Sequence, residues 1–364
     1  MDNFDVIIVG GGIAGASLGA EIARKRRCLV IEAEEHCGYH STGRSAAFYL
    51  ESYGGPEVAK LSIASRPFLD SPPRDFSEHG FLRTRGDLHL TKGELPELPP
   101  AVETRLIERE ELERMLPGVR GEWRRALFEP GCGDIDAGGL HGAFLRKYRK
   151  EGGAIALRSR LTSARRRRGG TWEVSLEDGS TLQGSILVNA AGAWADEVAK
   201  VCGTQPLDIR PKRRTMVQLR VGRGGLKDLP LVDDADGTFY FKGEGDRSLW
   251  LSPHDEIETN PCDAAPEEID IATAIDRFTK VVDWPVERVE RSWAGLRSFA
   301  PDRLPVYGFD AREPGLFWCA GQGGFGIQTS VAAARLAAFQ LLGEESDPMV
   351  ERIDPAVFSP RRFA

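Results

Sequence analysis

At 364 residues and 41% hydrophobic content, the chain is long enough to bury a large core in about two or three domains without help from a partner. Its 48 Lys and Arg against 55 Asp and Glu leave a net charge of -7, which excludes general nucleic-acid binding. No apolar run approaches the roughly 18 residues of a membrane span, so no transmembrane segment is expected. The acidic start Met1-Asp2-Asn3-Phe4-Asp5 lacks a charged-then-apolar leader. A cytoplasmic location follows as the expectation, with peripheral membrane association through an electron-transfer partner left open.

The stretch DVIIVGGGIAGASLGAEIARKRRCLVIEAE carries a whole dinucleotide-binding unit in register. Asp5 to Val9 suits a buried parallel strand, and Gly10, Gly12 and Gly15 supply G-x-G-x-x-G ahead of a helix from Ile13. Gly10 permits the tight turn, Gly12 lets backbone amides approach a pyrophosphate, and Gly15 lets the helix pack against the strand. The second strand, Cys28 to Ile31, ends at Glu32, twenty residues beyond Gly12, where a carboxylate can accept from ribose hydroxyls and disfavours a 2'-phosphate. This unit fits FAD and NAD equally.

The next loop, EEHCGYHSTGRSAA, offers Gly43-Arg44-Ser45 as a contact surface for the cofactor. His36, Cys37 and His40 lie there in one loop with too few ligands for a metal. The six cysteines have no C-x-x-C spacing and read as reduced thiols, so neither a metal site nor a disulfide framework is expected. Helical spacing over Pro56 to Leu69 is broken by Ser71-Pro72-Pro73, and Phe81 to Leu90 reads as extended, with Asp87 and His89 on one face.

Beyond the proline-rich loop from Gly93 to Pro100, Glu108 to Met115 predicts a short helix and Gly138 to Glu151 a longer one, followed by a strand at Ala154 to Leu157. Thr162 to Leu182 reads as a hairpin turning at EDGS, with the run Arg165 to Arg168 as a solvated end. Ser185 to Ala191 is an apolar strand that belongs beside the first two.

From Pro206 to Phe299 extended segments dominate: Thr215 to Val221, Thr238 to Lys242, Ser248 to Ser252 and Glu290 to Phe299, with one helix from Ile269 to Val282. A strand at Leu316 to Ala320, a glycine-rich turn from Gly321 to Gly326 and a helix from Ile327 to Leu342 repeat the opening logic. The expected fold is α/β. A Rossmann-like FAD-binding domain from 1–80, 130–206 and 300–364 interleaves with a mixed-sheet α+β substrate domain from 81–129 and 207–299.

Four segments in family order resemble the D-amino acid oxidase-like FAD superfamily: the opening fingerprint, VNAAGAWADEVA at 188–199, WAGLRSFAPDRLPV at 293–306 and GQGGFGIQTS at 321–330. GYHSTGRSAA at 38–47, IASRPF at 63–68, PKRR at 211–214 and SPRR at 359–362 are most similar to the bacterial D-arginine dehydrogenases. The resemblance implies FAD with its adenosine at Glu32 and Ala33 and its pyrophosphate at Gly10, Gly12, Ile13, Ala14 and Gly15. It places the isoalloxazine near Gly43, Arg44, Ser45, Gly323, Gly324, Gly326, Ile327 and Gln328, with Ala191 and Gly192 also against the cofactor. Amides at the start of the Ile327 helix would stabilise negative charge growing on the reduced ring, though a tight packing turn is the alternative. No cysteine lies between Arg297 and Tyr307, where covalent flavin attachment occurs in sarcosine oxidases, so noncovalent FAD is expected.

The implied chemistry is oxidative deamination of a D-amino acid by hydride transfer from Cα to flavin N5, with electrons leaving to a quinone or another carrier. Arg297 is the candidate carboxylate anchor, sharing a strand face with Trp293 and Gly295; a structural salt bridge is the alternative. Tyr240 and Arg214 are placed at the same carboxylate, against a packing tyrosine and a solvated Arg213–Arg214 pair. Tyr53, Asp87 and Phe48 would meet a cationic, D-arginine-like side chain, with Gly324 and Gln328 also against the substrate. Asp87 is shorter than the family's glutamate, Phe48 and Leu50 are less polar than the family's residues, and a solvent-facing Asp87 stays open. Trp250 stands where sarcosine oxidases carry a lysine that assists oxygen reduction, which favours a dehydrogenase. A glycine- or sarcosine-type oxidase using O2, a 2-hydroxy acid or glycerol phosphate dehydrogenase, and a nonenzymatic FAD-binding protein remain as alternatives.

Overall fold

The computed structural model describes residues 3–364. Alternation along the Asn3–Val9 strand sends Val6 and Ile8 into one core and Ile7 and Val9 into another, so the strand is apolar on both faces. Fully burying each such side chain contributes about 1.5–3 kcal/mol. The strand pairs in parallel with Cys28–Ile31 on one side and Thr181–Asn189 on the other, with Val9 opposite Ile31 and Asn189. Ala154–Ala156 extends the sheet beyond Cys28–Ile31, Leu316–Ala320 and Val306–Phe309 extend it beyond Thr181–Asn189, and Leu161–Arg166 and Trp172–Leu176 complete its eight strands.

The helix Ile13–Ile22 is buried almost all round, packing on Ala137–Lys150 and Ser330–Leu342. Two of its glycines are forced by space: a Cβ at Gly15 would stand 2.0 Å from the Gly10 carbonyl oxygen, and one at Gly10, whose φ is +105°, would stand 2.5 Å from that of Ala190.

A second sheet of ten strands runs, in order, Gln322–Gly323, Val286–Phe299, Arg210–Val221, Ser248–Ser252, Tyr240–Gly243, Leu231–Asp234, Asp87–Thr91, Arg125–Glu129 and Arg105–Glu108, with Ile257–Glu258 on the edge of Arg210–Val221. Helices Glu268–Thr279 and Arg109–Met115 close its apolar face around Phe241, Phe278 and Leu251. A small third sheet joins Phe48–Tyr49, Gly133–Ile135 and Leu82–Thr84. The chain leaves the first sheet at Ala320 and enters the second at once, with Gln322 opposite Phe299. This short crossing ties the two sheets together beside the cavity described below.

Three expectations need correcting. The last helix starts at Ser330 and not at Ile327: Gly323 has φ +52°, and with Gly324 and Gly326 it keeps residues 324–329 as turns. The expected hairpin is a three-strand meander, Leu161–Arg166, Trp172–Leu176 and Thr181–Asn189, because the third strand runs on into the parallel sheet. The strand Leu231–Asp234 carries the acidic sequence LVDD, whose composition hides its propensity. Arg165 and Arg167 share Glu173 at the meander's exposed end, as a solvated charge run should.

Candidate active site

One cavity of about 480 Å³ runs from the first sheet to the second. At its first end, Gly10, Gly12, Ile13, Ala14, Glu32 and Ala33 line the wall together with Ala191 and Gly192. A Cβ at Gly12 would meet nothing nearer than Thr42 Oγ1, at 3.3 Å, so this backbone stands open to a close-approaching group. The Thr42 hydroxyl accepts from Ile13 N at 3.0 Å and fixes the helix start. Glu32 is buried, its two oxygens accepting from Gly11 N at 2.8 Å and Glu34 N at 3.0 Å, which leaves further lone pairs for ribose hydroxyls. Below the loop, the His141 ring donates from Nε2 to Gly11 O at 2.9 Å, and burial holds its pKa below the ordinary range. Burial and Glu32 push the Cys37 thiol up to about 11.

In the middle, Arg44, Ser45, Gly323, Gly324, Gly326 and Ile327 line the wall. The Arg44 guanidinium reaches away to Ala264 O at 2.9 Å and to Asp263, while its own carbonyl accepts from Trp293 Nε1 at 3.1 Å. It pins the loop to the second sheet. Gly43 does not line the cavity; its N–H closes a turn on Gly38 O at 2.8 Å, and a Cβ there would meet that oxygen at 2.7 Å. Gly15 is likewise a packing residue behind the wall.

At the far end, Arg297, Arg214 and Tyr240 converge with Phe48, Leu50, Tyr53, Met216 and Leu231. Arg297 and Gly295 share a face of Val286–Phe299, and the guanidinium lies over the rings of Tyr53 at 5.3 Å and Phe299 at 5.6 Å. A Cβ at Gly324 would stand 1.8 Å from Arg297 Nη2, so glycine is what lets the guanidinium occupy this place. Arg214 Nε donates to Asp255 O at 2.8 Å, and its Cζ sits 5.8 Å from the Tyr240 ring centre. Arg213, on the opposite face, pairs with Glu267 and Asp270. Phe239 and Phe241 pack into the core while Tyr240 faces the cavity, its hydroxyl 3.1 Å from Met216 Sδ.

Among the described residues, Arg297 Nη1 and Arg214 Nη2 are buried without a hydrogen-bond partner. Glu256 Oε1 lies 3.7 Å from the first and 3.6 Å from the second, beyond hydrogen-bond length, and is itself held by Arg303 at 2.8 Å. Burial and the nearby Arg303 push Arg297 down to about 9. Two desolvated cations with idle donors form a site for an anion.

Two further corrections concern the far end. Asp87 is 0% exposed and sealed behind the wall beside His89, and the acid that reaches the cavity there is Asp233, opposite His89 on the neighbouring strand. Alternation put Asp87 and His89 on one face, and in the fold that face is buried, with His89 against Glu129 and Asp233. Gln328 lines the cavity, but its amide accepts from Leu50 N at 3.1 Å and donates to Leu50 O at 2.9 Å and Ser62 Oγ at 2.7 Å. It is a clamp on the 48–53 segment, not a free substrate contact. Trp250 packs on Trp293 at 5.2 Å outside the cavity wall. The lysine next to it, Lys242, is buried and bonded to Asp134 at 2.9 Å.

Sequence reasoning missed Thr42, Met216, Asp233, His254 and Glu256. His254 lines the cavity with its ring 5.7 Å from that of Tyr240, and burial and Arg214 hold its pKa low. None carried a local signal: Thr42 caps a helix start 29 residues away, Met216 and Asp233 arrive on strands, and His254 and Glu256 on the connection after Ser248–Ser252, all brought together only by the fold.

A nucleotide-binding crossover that opens on a cavity ending in two arginines defines a dinucleotide-dependent oxidoreductase. The chain belongs to the family of FAD dependent oxidoreductases, DAO, whose model matches residues 5–340, and FAD is its cofactor. The open backbone at Gly12 and the acid at Glu32 fit that group. Human mitochondrial dimethylglycine dehydrogenase is 28% identical over 283 residues, 71% of this chain and 31% of that protein. The chain thus spans less than half the length of the dimethylglycine dehydrogenases it matches. The fold is shared with L-proline dehydrogenase from P. horikoshii, at TM-score 0.83 and 21% identity over 100% of this chain and 98% of that one. It is shared too with FAD-bound L-α-glycerophosphate oxidase from Mycoplasma pneumoniae, at TM-score 0.82 and 17% identity over 96% and 97% of the two chains. No helix among the described residues is long and apolar enough to cross a membrane.

Proposed function

We propose that the protein is a D-amino acid dehydrogenase that holds FAD noncovalently between a nucleotide domain, 1–80, 130–206 and 300–364, and a substrate domain, 81–129 and 207–299. The observation that carries an α-amino acid or amine acid as substrate is the pair of idle buried nitrogens, Arg297 Nη1 and Arg214 Nη2. A carboxylate bridging them would satisfy both with charge-assisted hydrogen bonds, and Tyr240, which lines the same cavity, would add a third by turning its hydroxyl from Met216 Sδ. Two of the three named proteins support this reading, since dimethylglycine and L-proline each carry a carboxylate one carbon from an amine, whereas glycerophosphate offers a phosphate as the anion. The D configuration rests on the likeness of residues 38–47 and 211–214 to D-arginine dehydrogenases.

When bound, FAD supplies the acceptor for the hydride leaving Cα. The protein's share is orientation: Arg297, Arg214 and Tyr240 fix the carboxylate, and Gly295 and Gly324 keep room beside Arg297. Phe48, Leu50, Met216 and Leu231 wall the side-chain end and keep water from it. A cationic side chain loses its main support, because Asp87 is sealed away. Asp233 is paired with His89 at 2.8 Å, and the neighbouring acids hold that imidazole charged, so the pair is near neutral. An uncharged side chain fits these walls best. Carriage of electrons to a quinone or other carrier is favoured by the lack of a lysine among the described lining residues.

The deciding experiment is anaerobic bleaching of the flavin by D- and L-amino acids, glycine, sarcosine, N,N-dimethylglycine and 2-hydroxy acids, followed by air. Fast bleaching by uncharged D-amino acids with slow recovery in air is expected. Bleaching by hydroxy acids alone, or by L-amino acids alone, would sink the proposal, and rapid recovery with peroxide would make the protein an oxidase.

A further inference from the structure

Beneath the side-chain end of the cavity, Asp87–Thr91 runs parallel to Leu231–Asp234, with Leu231 opposite Asp87 and Asp233 opposite His89. This register puts Asp87, His89 and Asp233 on one face of adjacent strands. Asp87 is 0% exposed, and neither of its carboxylate oxygens has a hydrogen-bond partner among the described residues. A wholly buried carboxyl with no hydrogen-bond donor on either oxygen either keeps its proton, the direction in which burial and Asp233 push it, or takes a cation.

Apart from the His89 imidazole, the basic side chains of Lys242, Arg85 and Arg66 are committed to other acids. Lys242 is bonded to Asp134 at 2.9 Å, Arg85 lies 3.1 Å from Asp134, and Arg66 lies 3.2 Å from Glu51. Asp87, Asp233 and Glu129 are left to share the single imidazole of His89.

We propose that Asp87, His89 and Asp233 bind one divalent metal ion of the zinc class, a site separate from the flavin and from the carboxylate anchor. One atom from each residue can be chosen so that all three lie within 4.8 Å of one another. His89 Nδ1 is 2.8 Å from Asp233 Oδ1 and 3.5 Å from Asp87 Oδ2. An ion about 2.0–2.1 Å from each would see these pairs at angles of about 85° and 120°, and it reaches both acids when their oxygens, within 4.8 Å of each other here, close to about 4.2 Å. His89 Nε2 lies 3.4 Å from Glu129 Oε2, which accepts its proton and turns Nδ1 toward the two acids. That is the carboxylate–histidine–metal arrangement. The ion takes the place of the proton between His89 and Asp233, and two carboxylates neutralise its charge. A mixed nitrogen and oxygen set selects zinc over magnesium or calcium, which prefer oxygen alone. Asp233, whose side chain is 24% exposed, opens the path from the cavity.

The test uses FAD-loaded protein stripped with a chelator, incubated with zinc chloride or magnesium chloride, desalted and assayed for metal by mass spectrometry. About one zinc and no magnesium per chain is expected, with a melting temperature raised by about 3 °C when free zinc is a hundredfold above its Kd. Asp87→Asn and Asp233→Asn should each weaken zinc binding at least about tenfold while the flavin spectrum is kept. Should Asp87→Asn fail to fold, the partly exposed Asp233→Asn carries the comparison. A parent protein that retains no zinc, or zinc uptake undiminished in the variants, overturns the site.

Discussion

Gly324→Ala tests the placement of Arg297 through the backbone alone. The new methyl would stand 1.8 Å from Arg297 Nη2 and 2.4 Å from Cζ, where ordinary contact begins at 3.4 Å, so the guanidinium must retreat by about 1.6 Å. Tyr53 and Phe299 leave it little freedom on either side. Charge-assisted hydrogen bonds span about 2.7–2.9 Å, so a retreat of that size breaks those from Arg297 to a carboxylate. Each hydrogen bond to a charged group is worth about 1.5–3 kcal/mol, and with Arg214 and Tyr240 still in place the loss should fall at about 3 kcal/mol. That is about a hundredfold in the rate constant for anaerobic flavin reduction at low substrate. Rapid-mixing absorbance measures it, with FAD content as the control. In an Arg297→Ala background the methyl meets empty space, so adding Gly324→Ala should cost less than about threefold more. Unchanged reduction by the single variant, or losses that simply multiply in the double variant, would refute the reasoning.

Two more outcomes follow from the same geometry. Burial holds His141 below its unfolded pKa of about 6.5, so the unfolded chain takes up the proton first, and stability present above that pH is lost as the pH falls from there toward the folded pKa. In His141→Gln, whose amide can still donate to Gly11 O, this component vanishes; thermal melts should show the parent's advantage shrinking from pH 7 to pH 5, and a widening gap would contradict the assignment. Gln328→Leu removes the partners of Leu50 N, Leu50 O and Ser62 Oγ, a destabilisation of about 2–5 kcal/mol. Hydrogen exchange at the Leu50 amide should then quicken far more than at Val6, and equal changes at both would show that the clamp is not local.

How much of this protein its sequence announces depends on the range of the physics. The nucleotide unit is local: strand, turn, helix and acid follow within the first 32 residues, and alternation, glycine spacing and an acidic terminus are all short-range signals. Arg297 and Tyr240 could be aimed because a strand face alternates by two. The start of the last helix could not be fixed, because backbone freedom at Gly323, Gly324 and Gly326 lets tertiary contacts choose turns over helix.

Asp87 shows where sequence reasoning ends. Its face along the strand was readable, but whether that face met solvent, substrate or the interior depended on the tertiary packing that buries it, and its acidic neighbour Asp233 arrives by the parallel pairing with Leu231–Asp234, about 140 residues away. The same pairing adds Asp233 to Asp87 and His89, a grouping that no local spacing displays. Gln328 was legible as a neighbour of the cavity, but only packing commits its amide to Leu50. The sequence by itself determined the cofactor end, because backbone conformation and strand periodicity are set within a few residues. Tertiary structure alone decided the substrate end, because burial, idle donors and charge pairing are properties of residues that meet only when both sheets have formed.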